Sequence, residues 1–382
     1  MREMSHPLLA AIDREIPALK RLMAEEGDQR CLSDAAVECL RRSGVFRMAV
    51  PADLGGWEAD PLLQLRAVER LAEVDASVGW YAMVGSDGGF YCSFLDPSVA
   101  KRLYGADPNV VTAGFVEPAG VARPVEGGYL VSGRWPFGSA SYHSTWIASG
   151  CRVQSDNGDD PADGRWIVAM LPRIACELHD TWHTIGLRAS GSFDYSTRDH
   201  YVTSETTFSF LAGARRDEPL YRFPLMYRAN VPGAALGAAR GALGEFMEWI
   251  ADRRDPLTGA ARKESTHVQL ALGKAEAAVA AARSYAEAVI GELWEGLLRG
   301  EPPDLDLRAR FRLMIVHTGV TCRSAIQALF DACGGSVIFD HHPLQRRLRD
   351  LTAIAQHTLL QEPNYALSGR VLMGLPPHGE VF

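Results

Sequence analysis

Serine hydroxyl groups lie among aromatic side chains in one short stretch of this chain, residues 135–150, whose sequence is WPFGSASYHSTWIASG. The stretch begins and ends in strand-like runs with small residues between them, so backbone amides and the hydroxyls of Ser139 and Ser141 can approach a ligand closely. Trp135 and Phe137 add the flat apolar surfaces that a planar ligand contacts. The pattern predicts a binding loop for a planar cofactor, and a turn that satisfies its own backbone is the alternative.

The chain divides into three stretches with different sequence patterns, and the second of them contains this loop. From about residue 7 to 105 apolar residues recur at helical spacing, which predicts an N-terminal helical region. From about 110 to 212 the chain consists of Gly-punctuated, β-branched and aromatic runs, which predict a small β-barrel or sandwich. After residue 213 apolar stripes alternate steps of three and four, as in Val268–Leu293, and this spacing is typical of the nearly parallel or antiparallel helices of a bundle.

Glycine and proline positions refine the prediction for the bundle. Gly233, Gly237 and Gly241 recur every fourth residue in the first helix, so that helix can approach a neighbour closely. Pro343 suits the first turn of a further helix. The sequence therefore predicts four long helices.

The composition excludes several classes of protein. A chain of 382 residues with 47% apolar residues can bury a large core, and a net charge of −8 without a long basic cluster argues against nucleic acid and anionic membranes as partners. The charged N-terminus does not resemble a secretory signal, no apolar run reaches transmembrane length, and a cytoplasmic location is expected. Seven cysteines without a CxxC pair indicate reduced, mostly buried thiols. No metal site is predicted, because the HxxxH of His179 and His183 lies in strand and loop sequence.

Residues 135–150 resemble the flavin-facing segment of the acyl-CoA dehydrogenase superfamily, in particular its oxygen-using branch, the two-component (group D) flavin-dependent monooxygenases. Three further stretches resemble the same family in the same order. Residues 50–80 resemble its N-terminal helical region, residues 182–195 its second β segment, and residues 342–357 its last long helix. The resemblance covers nearly the whole chain.

The resemblance implies the acyl-CoA dehydrogenase-like fold, which is mainly α-helical with a central β domain. Its three parts would be an N-terminal helical domain at 1–110, a middle β-barrel at 111–212 and a C-terminal four-helix bundle at 213–382. The patterns of composition agree with this architecture.

The carboxylate base of the dehydrogenases is missing from both places where the family carries it. Acyl-CoA dehydrogenases need that base to remove the proton alpha to a thioester carbonyl. Thr358 lies near the first expected place, and residues 220–244 contain no Asp or Glu. His357, seven residues after Asp350 and so expected on the same helix face, matches a histidine of the oxygenase branch. Glu362, four residues past the expected place, leaves open a dehydrogenase or oxidase with a displaced base.

The resemblance therefore implies the oxygenase component of a two-component flavin-dependent monooxygenase, which hydroxylates an aromatic or heteroaromatic small molecule through a flavin C4a-hydroperoxide. Its cofactors would be molecular oxygen and reduced flavin, either FMNH₂ or FADH₂. No GxGxxG motif follows a strand, so a separate NAD(P)H-dependent flavin reductase would supply the electrons. An acyl-CoA dehydrogenase or oxidase and a flavin-binding protein without chemistry are the alternatives.

The resemblance also assigns residues to the cofactor. Ser139 or Ser141 would bond flavin N5, and Ser192, in the ASGS stretch, would lie nearby. Trp135 and Phe137 belong to the same flavin-facing segment.

Two histidines are the candidate catalytic residues. His357 would lie near flavin C4a, where a neutral imidazole can donate a hydrogen bond or accept a phenolic proton. A histidine buried in a bundle interface is the alternative. His143 would face the substrate or cap the loop.

The resemblance also implies that residues of the bundle contact the flavin phosphates. Arg254 follows the first bundle helix, where the family has an arginine that contacts phosphate across a subunit boundary. Gly334 and Gly335 match a pair of small residues that lets phosphate or adenine approach, and a helix C-cap is their alternative role. These contacts imply a homotetramer.

Overall fold

The computed structural model describes residues 6–27, 29–155, 165–255 and 257–377. The chain divides into two compact units. One contains the residues up to Asp60, Trp80–His183 and Arg188–Tyr227, and the other contains Pro61–Gly79, Thr184–Leu187 and the residues from Arg228 onward. The division does not follow the order of the sequence, because two short early segments belong to the second unit.

Helices and strands are numbered in chain order. Helices α1 to α11 are Pro7–Glu26, Asp34–Ser43, Pro61–Val74, Ala76–Ser86, Gly88–Tyr91, Pro97–Ala100, Val231–Ile250, Thr266–Leu298, Leu305–Ala332, Pro343–Ile354 and Pro363–Leu372. Strands β1 to β7 are Thr112–Val125, Gly128–Gly138, Trp146–Val153, Trp166–Pro172, Glu177–His179, Phe193–Thr203 and Thr207–Phe208. These strands all lie between residues 110 and 212, where the sequence predicts them.

The strands of the first unit form one mixed sheet in the order β5-β6-β2-β1-β3-β4-β7. β1 and β3 pair in parallel, and the other neighbours are antiparallel. Trp135, Ile147 and Tyr195 are among the buried side chains of its core. Among the described residues β5 and β7 are the two edges of the sheet, so the predicted barrel is an open sheet. With three and two residues, these edge strands are too short to form a closing ladder.

In the second unit, the three glycines of α7 lie against α3. A Cβ atom added at Gly233, Gly237 or Gly241 would come within 2.6 Å of a backbone carbonyl oxygen of α3. Those oxygens belong to Leu65, Glu69 and Glu73, which share the four-residue spacing of the glycines. The predicted close approach is confirmed, and its partner is α3.

The apolar stripes of α7, α8 and α9 form the core of the second unit. Buried members of these stripes include Leu236, Leu243 and Phe246 in α7, Val279, Ala286 and Leu293 in α8, and Phe311, Ile315 and Leu329 in α9. Within the described part of the chain, α9 is long and apolar enough to cross a membrane by length and composition alone, but half of its most apolar window is buried in the fold. Core helices of bundles have the same composition.

Helix α10 positions the short segment Thr184–Leu187 within the same unit. Asp350 is buried and its Oδ1 accepts the backbone N–H of Leu187 at 2.7 Å. Burial, followed by the charge of Asp75, raises the pKa of the Asp350 carboxyl. A Cβ atom at Gly186 would lie 2.2 Å from the carbonyl oxygen of Arg349, so glycine is required for this contact.

The expectation that His357 shares a helix face with Asp350 is wrong, because α10 ends at Ile354. The next residues form a tighter turn in which the N–H of His357 donates to the carbonyl oxygen of Ile354 at 3.0 Å. The imidazole Nδ1 of His357 accepts the N–H of Leu359 at 3.4 Å. Such a local bond from side chain to backbone competes with continuation of the helix.

Candidate active site

The loop at the end of β2 contains the predicted cofactor residues, and its backbone is strained. Phe137 and Ala140 have φ angles of +57° and +63°. This left-handed conformation costs a non-glycine residue about 1–2 kcal/mol. The two residues flank Ser139, next to an irregularity of the β2–β6 ladder between Trp135 and Gly138. Strained backbone of this kind is concentrated at functional sites.

Ser139 belongs to a buried chain of hydroxyl groups. The indole Nε1 of Trp80, in α4, donates to Ser139 Oγ at 3.1 Å. Ser139 Oγ lies 2.6 Å from Ser192 Oγ, which lies 2.7 Å from Ser190 Oγ. All four side chains are buried. The structure therefore brings together two of the predicted cofactor residues, Ser139 and Ser192, and adds Trp80 and Ser190.

Ser141 is buried, and among the described residues its hydroxyl has no hydrogen-bond partner. Its carbonyl oxygen accepts Ser144 Oγ at 3.0 Å and Arg173 Nε at 2.9 Å, so the backbone of the loop is held firmly at this point. An orphaned hydroxyl is costly and calls for a ligand or a water to complete it.

The two predicted aromatic residues have different environments. Trp135 is fully buried, donates its indole N–H to the carbonyl oxygen of Gly150 at 2.7 Å and stacks on Tyr195 with ring centroids 5.3 Å apart. It supports the loop from inside the sheet. Phe137 is 61% exposed and makes an edge contact with Trp182 at 6.3 Å, so its ring is available to a ligand.

His143 is held at both ring nitrogens within the first unit. Its Nε2 lies 2.9 Å from Asp34 Oδ1, and its Nδ1 lies 3.0 Å from the hydroxyl of the fully buried Tyr81. Because a carboxylate can only accept, Nε2 carries the hydrogen and Nδ1 accepts from Tyr81. Burial lowers the pKa of His143, and Asp34 opposes that shift. The arrangement fixes a neutral imidazole as an anchor of the loop.

His357 lies in the second unit, in the turn between α10 and α11. Burial, with a smaller contribution from the positive charge of Arg228, lowers its pKa to about 4. The imidazole is therefore neutral at physiological pH. Because Nδ1 accepts the N–H of Leu359, the hydrogen of this neutral imidazole lies on Nε2 and can be donated, which is one of the two predicted roles.

The predicted phosphate contacts lie in the second unit. Arg254 is exposed and donates from Nη1 to the carbonyl oxygen of Gly259 at 2.9 Å. Gly334 and Gly335 follow the end of α9 and are exposed, and Gly334 has a φ of +71°. Arg262, which the sequence analysis did not single out, donates to the carbonyl oxygen of Cys333 at 2.9 Å, directly before the glycines.

The substitute base of the dehydrogenase alternative has the surroundings of a surface carboxylate. Glu362 is 70% exposed and lies 3.9 Å from Arg323. A general base that removes a weakly acidic proton works in an enclosed site beside its substrate, and Glu362 is exposed. Within the described ranges no three His, Cys, Asp or Glu side chains are placed to hold a metal ion.

Sequence reasoning missed Trp80, Tyr81 and Asp34, which fix the loop. Trp80 and Tyr81 lie in α4, whose sequence ASVGWYAMVGS is apolar along its length and predicts a buried helix. The signal that could have identified them is the pair of adjacent large aromatic residues, each of which needs a partner for its polar atom when buried.

Comparisons with known proteins indicate a single family. Residues 231–362 match the family described as acyl-CoA dehydrogenase, C-terminal domain. The chain is 30% identical to the indole-3-acetate monooxygenase of Pseudomonas putida, over 93% of this chain and 90% of that protein. It is 28% identical to the flavin-dependent monooxygenase, oxygenase subunit HsaA, of Mycobacterium tuberculosis, over 97% and 96%. The crystal structure of 3-HSA hydroxylase from Rhodococcus sp. RHA1 matches with a TM-score of 0.91 at 26% identity and covers 98% of both chains.

Proposed function

Because this chain belongs to the flavin-dependent monooxygenases of the acyl-CoA dehydrogenase superfamily, we propose that it is the oxygenase component of a two-component enzyme that hydroxylates an aromatic or heteroaromatic small molecule. The observation that carries the proposal is the strained loop Phe137–Ala140, which holds Ser139 within a buried hydroxyl chain. The indole-3-acetate monooxygenase, by its name, acts on an aromatic compound, which supports an aromatic substrate here.

The loop fits a flavin. Ser139 uses one acceptor position for Trp80 and one position for Ser192, so one of its three hydrogen-bonding positions is left for a ligand. The orphaned hydroxyl of Ser141 offers a second polar contact, and the exposed ring of Phe137 offers an apolar surface. These residues would hold the isoalloxazine ring, with Ser139 or Ser141 at N5 and Ser192 behind Ser139.

The two histidines would have separate roles. Reduced flavin, when bound, supplies the electrons that allow one atom of O₂ to pass to the substrate. Burial keeps His357 neutral, and its hydrogen lies on Nε2 because Nδ1 accepts the N–H of Leu359, so His357 would act as the catalytic residue by donating a hydrogen bond to the reacting oxygen. His143 positions the loop through Tyr81 and Asp34 and would act on the substrate only if those bonds opened.

Further parts of the proposal concern assembly. Arg254, with Gly334 and Gly335, would contact the flavin phosphates across a subunit boundary in a homotetramer. We also propose that the chain has three domains, at 1–110, 111–212 and 213–382, and that it lies in the cytoplasm. A separate NAD(P)H-dependent flavin reductase would supply its reduced flavin. The word subunit in the name of the Mycobacterium tuberculosis relative supports a second component.

The test supplies the chain with FMNH₂ or FADH₂ from a separate NADH-dependent reductase and offers phenols and indoles under ¹⁸O₂. We expect a product that carries one ¹⁸O atom. His357→Ala should lower the rate of product formation by about 10²-fold or more, the usual loss of a general acid or base. The O₂ that is consumed without forming product should be recovered as H₂O₂. His341→Ala, at an exposed histidine, is the matched control and should keep wild-type coupling.

Two results would contradict the proposal. One is the absence of ¹⁸O in every product although reduced flavin binds. The other is bleaching of bound oxidised flavin by an acyl-CoA, since electron transfer from a thioester substrate defines the dehydrogenase alternative and would require Glu362 or another base.

A further inference from the structure

We propose that Asp87 recognises the substrate. Its carboxyl donates a hydrogen bond to an uncharged oxygen, a hydroxyl or a carbonyl, on a substituent of the aromatic ring, and so selects such substrates over those with a carboxylate or an ammonium group. The inference deepens the proposed function and rests on it, because it names the substrate class of the same site.

Asp87 lies in a stretch of the chain that is otherwise closed to solvent. From Asp75 to Leu95 every residue is buried except Val84 and Asp87, which are half-buried. These two are three residues apart, near the end of α4 and directly after it, so they lie on one face of the helical path. A helix at the protein surface exposes a continuous stripe, whereas two isolated accessible residues indicate a small enclosed space.

The same face leads to the loop after β2. Trp80, whose indole N–H donates to Ser139 Oγ at 3.1 Å, precedes Val84 by four residues. The helical backbone continues through Asp87, whose φ and ψ are −59° and −24°. At a rise of about 1.5 Å per residue, Asp87 lies about 10 Å from Trp80 along the axis. A ring bound beside the loop can therefore place a short substituent near Asp87.

Aromatic rings surround the far end of this face. The ring centroid of Tyr91, four residues after Asp87, lies 5.7 Å from that of Phe208, 6.2 Å from that of Phe210 and 6.3 Å from that of Tyr227. Tyr91, Phe208 and Phe210 are buried, and Tyr227 is half-buried. Such surroundings suit an uncharged ligand and make it costly to enclose an unpaired charge.

These surroundings keep the carboxyl of Asp87 neutral. Burial raises the pKa of Asp87 well above its usual range, and the hydrogen bond of Tyr91 opposes the shift only in part. No cation among the described residues contributes to the shift. A neutral carboxyl has an O–H to donate and an oxygen that accepts. Because the hydroxyl of Tyr91 can donate to the accepting oxygen, the hydrogen of Asp87 is left for a ligand.

Three kinds of substituent differ in how they fit this site. A hydroxyl or carbonyl oxygen accepts the hydrogen of Asp87 without any change of charge. A carboxylate would bring an anion into an enclosed space without a cation to pair with it. An ammonium group would require Asp87 to ionise, which its burial opposes. The uncharged oxygen is therefore the best match.

The test compares ligands that share a ring and differ in one group. One series is 3-ethylindole, tryptophol, tryptamine and indole-3-acetate, and the other is 4-ethylphenol, tyrosol, tyramine and 4-hydroxyphenylacetate. Dissociation constants are measured by anaerobic titration calorimetry of the full chain saturated with reduced FMN or FAD. In at least one series we expect the ammonium and carboxylate members to bind more weakly than the alcohol by about tenfold or more.

Three variants assign the preference to Asp87. Asp87→Leu removes the donor, so the ratio of the dissociation constant of the ethyl member to that of the alcohol should fall about 3- to 10-fold, the range of one hydrogen bond. Asp87→Asn keeps a donor, because its amide N–H replaces the O–H, and should keep this ratio near the wild-type value. Asp252→Leu, at an exposed carboxylate, is the matched control and should leave the ratio unchanged. Where Asp87→Leu does not fold, the order of the ligands in the wild type and in Asp87→Asn decides.

The outcomes separate the inference from the proposed function. Tightest binding of the ammonium member, lost in Asp87→Asn, would mean that the carboxyl is ionised and would overturn the inference. Tightest binding of the carboxylate member, a ratio unchanged by Asp87→Leu, or failure of both series to bind the flavin-loaded chain would also overturn it. Each of these results leaves the monooxygenase intact. A chain that binds neither FMNH₂ nor FADH₂ overturns the proposed function and the inference with it.

Discussion

Trp80 and Tyr81 are consecutive residues of α4, and they bond to opposite ends of the Ser139–His143 loop. The indole N–H of Trp80 donates to Ser139 Oγ at 3.1 Å, and the hydroxyl of Tyr81 lies 3.0 Å from His143 Nδ1. Consecutive side chains of a helix point about 100° apart, so the pair can reach two separated points of one loop. A single turn of one helix therefore fixes the loop on which the proposed site depends.

The hydroxyl of Tyr81 should contribute to stability. Tyr81→Phe leaves His143 Nδ1 buried without its donor, which should lower the free energy of unfolding by about 1–3 kcal/mol. Urea unfolding followed by tryptophan fluorescence measures the change. Tyr142→Phe, at the neighbouring exposed tyrosine, is the control and should change stability by less than about 0.5 kcal/mol. Equal effects of the two variants would mean that the bond to His143 does not stabilise the loop.

The protonation of His143 should depend on its burial. The groups that face it are Asp34, Tyr81 and Arg41, and burial lowers its pKa although Asp34 opposes the shift. We expect His143 to titrate below pH 6.5 and Asp34→Asn to lower its pKa further. NMR titration of the imidazole Cε1–H, assigned with His143→Gln, measures both. A pKa of His143 above 6.5 in the wild type would mean that burial does not keep this imidazole neutral.

Periodic features of the fold could be predicted from the sequence, and contacts between distant residues could not. The stripes of α7 to α9 and the glycines that face α3 were predictable because their spacing is local. The bonds of Trp80 to Ser139, Tyr81 to His143 and Asp34 to His143 span 59, 62 and 109 residues and produce no periodic pattern.

The end of α10 was also missed, for a different reason. The stretch that contains Arg349 and Asp350 keeps helix-forming residues through Ala355, so the sequence favours a longer helix. The turn after Ile354 instead depends on hydrogen bonds of His357 to nearby backbone groups, which a spacing argument does not include.

The contact of α7 with α3 should tolerate no side chain at its centre. A Cβ atom at Gly237 would lie 2.1 Å from the carbonyl oxygen of Glu69, so Gly237→Ala forces two helices apart and should cost about 1–3 kcal/mol or more. Gly244→Ala is the control on the same helix, since a Cβ atom there has no neighbour within 4 Å outside its own helix. The control should stabilise by about 0.5–1 kcal/mol through helix propensity. Thermal unfolding distinguishes the variants. Similar destabilisation by both substitutions would mean that the loss of stability arises within α7 and not from its contact with α3.

The low pKa of His357 predicts a loss of stability in acid. Its pKa is about 4 in the folded chain, below the ordinary value of 6.5, so between these values the unfolded chain binds a proton that the folded chain does not. The associated stability is complete above pH 6.5 and is lost as the pH falls to about 4, by about 3 kcal/mol at most. We expect His357→Gln to remove this dependence, so that the stabilities of the variant and the wild type converge as the pH falls from 7 to 4.

The measurement is the urea midpoint of both proteins across that pH range. His267→Gln, at an exposed histidine, is the matched control and should follow the wild-type curve. A wild-type curve that stays parallel to that of His357→Gln would mean that His357 takes up its proton at the ordinary pKa. It would then be largely protonated at pH 6, and the neutral imidazole on which its proposed catalytic role rests would be missing there.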